Sequence, residues 1–323
     1  MDLKAITQPI REELDLFDDS FRAAMRSKVA FVDMVARYIV KQKGKRIRPI
    51  LVLLTAKACG GVNESSYRGA SLVEILHTAT LIHDDVVDDA DTRRGFPSIN
   101  AVWKNKIAVL MGDYMLAKGL LLSLDNNDFQ FLKIISDSVR RMSEAEILQI
   151  AKSKDLDIDE ATYLKIISDK TASLLSTCCQ IGAVSATDDP DVQRTMRDFG
   201  DNLGMVFQIR DDLLDYVGRT SITGKPTGLD MKEKKLTLPL IYAFTKAPRN
   251  QSKHILSIIK NGTKKKSLQE VVEFAHTYGG IDYTIKKAEQ YSARALEAIR
   301  SIHPSVARDS LVQFVEYVFE RSK

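Results

Sequence analysis

Residues 74–94 read EILHTATLIHDDVVDDADTRR, an apolar helical pattern that runs into aspartates and ends on two arginines. Asp84, Asp85 and Asp88 stand at i, i+1 and i+4, so three carboxylates fall within about a 100° sector of one helix face. Like charges at i, i+4 disfavour a helix by roughly 0.2–0.5 kcal/mol per pair, which predicts a cation at that face. The same spacing returns in QIRDDLLDYVG, residues 208–218, as Asp211, Asp212 and Asp215. Asn63 predicts the N-cap of the first of these helices, which extends to about Asp89.

Upstream, residues 3–18 and 27–41 carry helical periodicity, and Gly44 ends the second pattern. KQKGKRIRP follows at 41–49, with five positive charges between 41 and 48. Pro49 then sits in the first turn of another helix, where its missing N–H is tolerated. Downstream, GFPSIN breaks the pattern and a short helix is expected near 98–106. Residues 107–124 read as a buried helix, because Asp113 and Lys118 interrupt any membrane reading. A long amphipathic helix covers 127–152. Asp157 with Glu160 resembles a capping box for a helix over 158–185. Asp189–Pro190 starts the next helix, which runs to Val217. One stripe of that helix carries Val192, Met196, Phe199, Leu203, Val206 and Leu214; another carries Gly204, Gln208 and the second aspartate triplet. A glycine-containing loop follows at 218–235, and the remainder reads as short-linked helices at 236–245, 251–260, 266–277, 280–301 and 305–321. Neither strand alternation nor a repeat emerges. The expected fold is all-α, one domain over residues 1–323.

Composition narrows the function. The chain has 323 residues, 44% hydrophobic and 28% charged, with a net charge of +4 spread among alternating acids and bases. That is no footprint for nucleic acid. Cys59, Cys178 and Cys179 have neither disulfide nor metal spacing, so they read as buried thiols of a reducing compartment. The first residues, MDLKAITQPIREELDLF, lack the basic start and apolar run of a secretion signal. The expected location is the cytoplasm.

Oxygen ligands without paired Cys or His favour magnesium, or manganese, over zinc. Magnesium held by few carboxylates shares its shell with waters and substrate phosphates. Lys45, Arg48, Arg93, Arg94, Lys170, Lys225 and Lys235 are the cations available to such a phosphate. No P-loop or GxGxxG is present, so the ligand is expected to be a diphosphate other than a nucleotide. Metal on a diphosphate, with no nucleophile arrangement in sight, points to that diphosphate as leaving group above an apolar cavity.

GKRIRP (44–49), HDDVVDDADTRRG (83–95), DKT (169–171), FQIRDDLLD (207–215) and GKPTGLDMKEKKLTLP (224–239) occur in this order. With these motifs the chain resembles the trans-prenyl diphosphate synthase (polyprenyl synthetase) family over nearly its whole length. The resemblance implies a helical bundle of the isoprenoid synthase type around a central cavity. It also implies head-to-tail condensation of isopentenyl diphosphate with an allylic diphosphate. Three magnesium ions are expected, two on Asp84, Asp85 and Asp88, and a third on Asp211 and Asp215 with Asp212 in its outer shell. Arg93, Lys170 and Lys225 are expected on the allylic diphosphate with Lys235 nearby, and Lys45, Arg48, His77 and Arg94 on isopentenyl diphosphate. Thr171 and Gln208 correspond to groups beside the developing allylic cation. A homodimer and transient membrane contact for a lipid product are further implications of the resemblance.

In this family, bulk four and five residues before the first aspartate stops the growing tail. Those positions hold Thr80 and Ala79 here, both small. The tail would then meet the stripe Leu132, Ile135, Val139 and Met142, with Ile135 as floor. The expected product is long-chain, about six to eight isoprene units, the alternative being a shorter farnesyl or geranylgeranyl product. Three remoter readings are a terpene cyclase, a non-catalytic subunit of a heteromeric synthase, and a di-iron protein using Glu74/His77 and Glu273/His276.

Overall fold

A computed structural model of the protein describes residues 2–42, 44–93, 95–217, 235–262 and 265–320; Arg94 and Lys225 lie outside them. The predicted helix over 3–18 is split. Helix α1 (Leu3–Thr7) passes through a tight turn (Gln8–Ile10) before α2 (Arg11–Met25), because Pro9 has no N–H to continue the ladder. Helix α3 spans Ala30–Lys41 and α4 spans Ile47–Cys59. Leu51, Val52, Leu53 and Leu54 of α4 are all inaccessible, as befits a helix apolar on every side.

Helix α5 (Glu64–Val87) starts where the sequence predicts. The Asn63 side chain accepts the Ser66 N–H at 3.1 Å, and the Ser66 hydroxyl accepts the Asn63 N–H at 3.2 Å. A two-residue hairpin, β1 (Thr92–Arg93) against β2 (Phe96–Pro97), reverses the chain into α6 (Ile99–Leu124). Lys104, at φ 72°, breaks α6 close to the predicted boundary between the two segments. Helix α7 is Phe129–Asp155 and α8 is Glu160–Ile167. Asp159, not Asp157, caps α8. Its backbone is the extended residue before the helix, and its carboxylate accepts the Thr162 N–H at 2.8 Å.

The predicted continuous helix over 158–185 is interrupted by a π-turn at Ser168–Ala172, where the Ser173 N–H reaches back five residues to the Ser168 carbonyl. Helix α9 (Ser173–Ala186) and α10 (Pro190–Val217) follow. The buried stripe of α10 turns through Met196, Phe199, Leu203, Val206, Ile209 and Leu213, so Leu213 rather than Leu214 continues it. The remainder comprises α11 (Leu238–Lys246), α12 (Arg249–Lys260), α13 (Lys265–Thr277), α14 (Gly280–Ile299) and α15 (Val306–Glu320).

At the centre, α5 packs on α4, α6 and α9, while α9 packs on α4 and α10. Gly182 lets α4 and α9 touch: a Cβ there would stand 2.4 Å from the Val52 carbonyl oxygen. One core cluster joins α4, α5, α9, α10 and α15, a second joins α8, α10, α11 and α14, and Tyr291 and Phe319 pack against both. A third joins α3, α5 and α6 around Val35, Ala79 and Met115.

The expectation of a buried helix over 107–124 is corrected. By length and composition α6 is apolar enough to cross a membrane, with mean hydropathy 1.6 over its most apolar window, of which 33% is buried. One side packs on α3 and α5; the other leaves Leu110 55%, Leu121 51% and Leu124 49% exposed. Apolarity alone could not tell these two sides apart.

Candidate active site

Asp84, Asp85 and Asp88 occupy the last turn of α5 and its C-cap, and they differ in setting. Asp84 and Asp88 are exposed, whereas Asp85 is buried. The Asp85 Oδ1 takes both Arg93 Nε (2.7 Å) and Nη2 (2.6 Å). The hairpin delivers Arg93 to that point. Ser98 Oγ and Asn100 Nδ2 anchor the chain reversal on the Ala90 carbonyl at 2.6 and 3.2 Å, and Asn100 also donates to the Asp85 carbonyl.

The Asp84 carboxyl is held above the ordinary carboxylate range. Loss of water around it is the largest cause, followed by the Glu146 charge; Asp88 adds to it, while Lys170 and Arg93 oppose it. Three of these groups come from other elements, so the electrostatics alone report that α5, α7 and the π-turn meet here. Lys170 forms an ion pair with Glu146 and donates to Gln149 Oε1 at 2.8 Å.

The π-turn sends Lys170 toward α7 and its neighbour Thr171 toward α10. Thr171 Oγ1 donates to Gln208 Oε1 at 2.7 Å, and Gln208 Nε2 donates to Asp212 Oδ1 at 2.6 Å. Tyr163 on α8 completes the chain, its hydroxyl donating to Asp212 Oδ2 at 2.7 Å. Both oxygens of buried Asp212 are therefore committed within the protein. Gly204 permits this approach, since a Cβ there would lie 2.4 Å from the Ala172 Cα. Asp211 and Asp215 sit half-buried on the same helix.

A cavity collects these groups: Gln149, Tyr163, Lys170, Thr171, Gln208, Asp212 and Lys235 line it together with Ile166, Ile167 and Leu236. The Tyr216 hydroxyl and Thr237 Oγ1, 2.8 Å apart, fix the chain beside Lys235. A second cavity between α2, α3 and α5 takes in Glu74, Thr78, Asp85, Arg93 and the Asp18–Arg46 ion pair. Lys45, Arg48 and His77 line neither of these two cavities. Lys45 is exposed before α4, Arg48 is half-buried in its first turn, and His77 is buried on α5.

The tail-length residues separate by face. Thr80 is half-buried, with its hydroxyl turned back onto the His77 carbonyl at 2.8 Å. Ala79 is inaccessible and packs with α3 and α6, in a different cluster from Ile135. Ile135 is 1% exposed and shares its cluster with Leu76, one turn below Thr80. Phe131, not Leu132, occupies the core one turn below Ile135, close to Gly69 of α5.

Glu146, Gln149 and Tyr163 are site residues the sequence reading passed over. Each had a signal: Glu146 and Gln149 are one helical turn apart on α7, and Tyr163 stands two turns before Lys170. The Glu-x-x-His pairs are not brought together, since α13 packs against α11, α12 and α14 and α5 packs elsewhere. Among the described residues, no three His, Cys, Asp or Glu side chains gather into a self-sufficient metal cage.

The sequence model of the polyprenyl synthetase family matches residues 29–275. The all-trans-nonaprenyl-diphosphate synthase (geranyl-diphosphate specific) of Rhodobacter capsulatus is 37% identical over 318 residues, covering 98% of this chain and 97% of that one. The octaprenyl diphosphate synthase of Escherichia coli K12 is 32% identical over 323 residues, covering both chains in full. Among solved structures, the polyprenyl synthase of Caulobacter crescentus, complexed with calcium and isoprenyl diphosphate, superposes with TM-score 0.90 at 31% identity, covering 100% of this chain and 98% of that one.

Proposed function

The chain belongs to the polyprenyl synthetase family, and from that premise we propose how its residues carry out the condensation. Isopentenyl diphosphate is joined head-to-tail to an allylic diphosphate, giving a long-chain all-trans polyprenyl diphosphate and free diphosphate. The observation that carries this reading is the meeting of Asp84 with Glu146, Lys170 and Arg93 at the end of α5, beside the Thr171–Gln208–Asp212–Tyr163 chain.

The donor set fits magnesium, with manganese as substitute. Asp84, Asp88, Asp211 and Asp215 offer only hard carboxylate oxygens, and Asp84 carries an electrostatic burden from Glu146 and Asp88 that a divalent cation relieves. When bound, magnesium, expected as three ions, neutralises charge on the departing diphosphate. Asp85 has a different part, holding the Arg93 guanidinium in place beside those ligands. Lys170, Arg93 and Lys235 face the same allylic diphosphate, and Lys45, Arg48 and His77 hold isopentenyl diphosphate. The Thr171 and Gln208 oxygens present the negative ends of their dipoles to the allylic cation as the C–O bond breaks. The isopentenyl double bond attacks that carbon, and the released diphosphate takes the proton that is then lost.

Below the aspartates Thr80 puts no bulk on the proposed path of the tail, and Leu76, one turn lower, shares a core cluster with Ile135, the proposed floor. This supports a product of about six to eight units; the two relatives named above make eight and nine. Two inferences about organisation accompany the reading. The exposed leucines of α6 support a homodimer, and the bridging of two core clusters by Tyr291 and Phe319 supports one domain. Cys178 and Cys179 are buried free thiols, Cys179 pushed up to about 12 by burial, which suits a reducing cytoplasm.

The deciding experiment incubates purified protein with magnesium, labelled isopentenyl diphosphate and geranyl, farnesyl or geranylgeranyl diphosphate, then separates products by length. Long all-trans chains are expected. Farnesyl diphosphate as sole product would contradict the open passage at Thr80, and a cyclic hydrocarbon made without isopentenyl diphosphate would contradict the reaction itself.

A further inference from the structure

The outer side of α2 and α3 belongs to no part of the reaction and has an unusual composition. A groove between the two helices is rimmed by Arg22, Arg26, Arg37 and Lys41 over an apolar floor that includes Met25 and Val40. The acid within it, Asp33, is already engaged: it accepts from Arg37 Nε at 2.8 Å and from the Ser27 N–H at 3.3 Å. Arg26, Lys28 and Lys41 are exposed and have no ion-pair partner among the described residues.

Beside the groove, large apolar side chains face solvent: Val29 is 60%, Phe31 43% and Met34 48% exposed. Phe31, Met34 and Lys41 fall on one outward stripe of α3, apolar at its start and basic at its end. The opposite side of α3 packs Val35, Ala36 and Ile39 against α5 and α6. Tyr38 meets Trp103 edge-on, and Lys118 of α6 donates to the Arg26 carbonyl. The face is thus rigidly held and outward-facing.

We propose that this face docks on an anionic lipid bilayer, the exposed apolar residues entering the interface and the cations pairing with phosphate headgroups. Interfacial helices with aromatic and aliphatic residues on one side and Lys/Arg around them bind anionic membranes in this manner. A second copy of the chain is the wrong partner by charge. A two-fold contact would gather Arg26, Lys28 and Lys41 of both copies into one interface, with Asp33 already committed to Arg37 and Ser27. A free phosphate would leave Phe31 and Met34 without a role. The purpose of the docking, delivery of a lipid product, rests on the proposed function, but the docking itself does not.

The test is co-sedimentation of the full chain with phosphatidylcholine vesicles, with and without phosphatidylglycerol, at low and high salt. Binding is expected only with the anionic lipid and to weaken with salt. Arg26→Glu/Lys28→Glu/Lys41→Glu is expected to lower that binding by about ten-fold or more, with Arg26→Gln/Lys28→Gln/Lys41→Gln intermediate. Phe31→Ser/Met34→Ser is expected to weaken it with the charges intact. In detergent solution all of these variants should synthesise product at the unaltered rate, so a failed vesicle result and a failed activity assay are told apart. Equal binding to neutral vesicles, or no binding at all, overturns the proposal. So does unaltered binding by the variants, full displacement by inorganic diphosphate, or a change of oligomeric state in the charge variants.

Discussion

Arg93 grips Asp85 through two nitrogens on a single carboxylate oxygen, at 2.7 and 2.6 Å, and so separates the middle aspartate of the first motif from its neighbours. Asp84 and Asp88 remain exposed while Asp85 is spent inside the protein.

Asp85→Asn should therefore behave unlike Asp84→Asn. Loss of a hydrogen bond to a charged group, at about 1.5–3 kcal/mol, predicts a rate lower by about 10- to 100-fold through misplacement of Arg93. Its magnesium dependence should stay near wild type, whereas Asp84→Asn and Asp88→Asn should need more magnesium. Rates measured across a magnesium titration distinguish the two behaviours.

Tyr163→Phe removes the hydroxyl that donates to Asp212 Oδ2 at 2.7 Å. The buried carboxylate keeps Gln208 but loses a charged hydrogen bond. Denaturant unfolding should show a loss of about 1.5–3 kcal/mol, and turnover should fall more than the affinity for isopentenyl diphosphate.

Asp84 gives a pH prediction. Its folded pKa lies above the ordinary value of 3.8, from desolvation first and Glu146 next. The resulting contribution to stability is present in full below 3.8 and is lost as pH rises through the folded value. At neutral pH the ionised group therefore burdens the metal-free fold. In a chelator, Asp84→Asn should melt at a higher temperature than wild type at pH 7, with the gap narrowing as pH falls. A lower melting temperature at pH 7 would refute this.

Thr80→Phe and Ala79→Phe should have different fates. Thr80 is half-buried, so phenylalanine there is expected to fold and shorten the product. Ala79 has no accessible surface and is packed between α3 and α6, so the same change overfills the core and costs about 1–3 kcal/mol or more. Ile135→Ala should lengthen the product. Product chromatography beside thermal melts separates these outcomes.

Leu110→Glu/Leu121→Glu places charge on the exposed side of α6, where leucines are 55% and 51% accessible. Light scattering should report a smaller species than wild type.

The helices were legible in sequence because their periodicity and caps are local: Asn63, Pro190 and the stripe from Met196 to Val206 each declare themselves. The two aspartate clusters were legible for the same reason. The partition of burial inside a cluster was not. Asp84 and Asp85 are adjacent and chemically identical, and only a hairpin eight residues downstream decides which one is buried. Ala79 and Thr80 pose the same difficulty, since 100° of helix rotation puts one in the core and leaves the other half-buried. Hydropathy carries no direction, so it does not tell the packed side of α6 from the exposed one, and the partner that makes Tyr163 part of the site lies 49 residues away.

The one-residue excess in the turn at 168–172 has a lasting effect on what can be exchanged at this place. Deleting a residue there would restore a regular spiral, yet it would rotate Lys170 and Thr171 by about 100° relative to α9 and separate them from Gln149 and Gln208. Both contacts would fail together although neither side chain had been touched. Swaps of this segment with relatives should therefore succeed only when the donor keeps the same number of residues between Tyr163 and Ser173, whatever their identity. In this stretch the count of peptide units is itself under constraint, as a reading frame is.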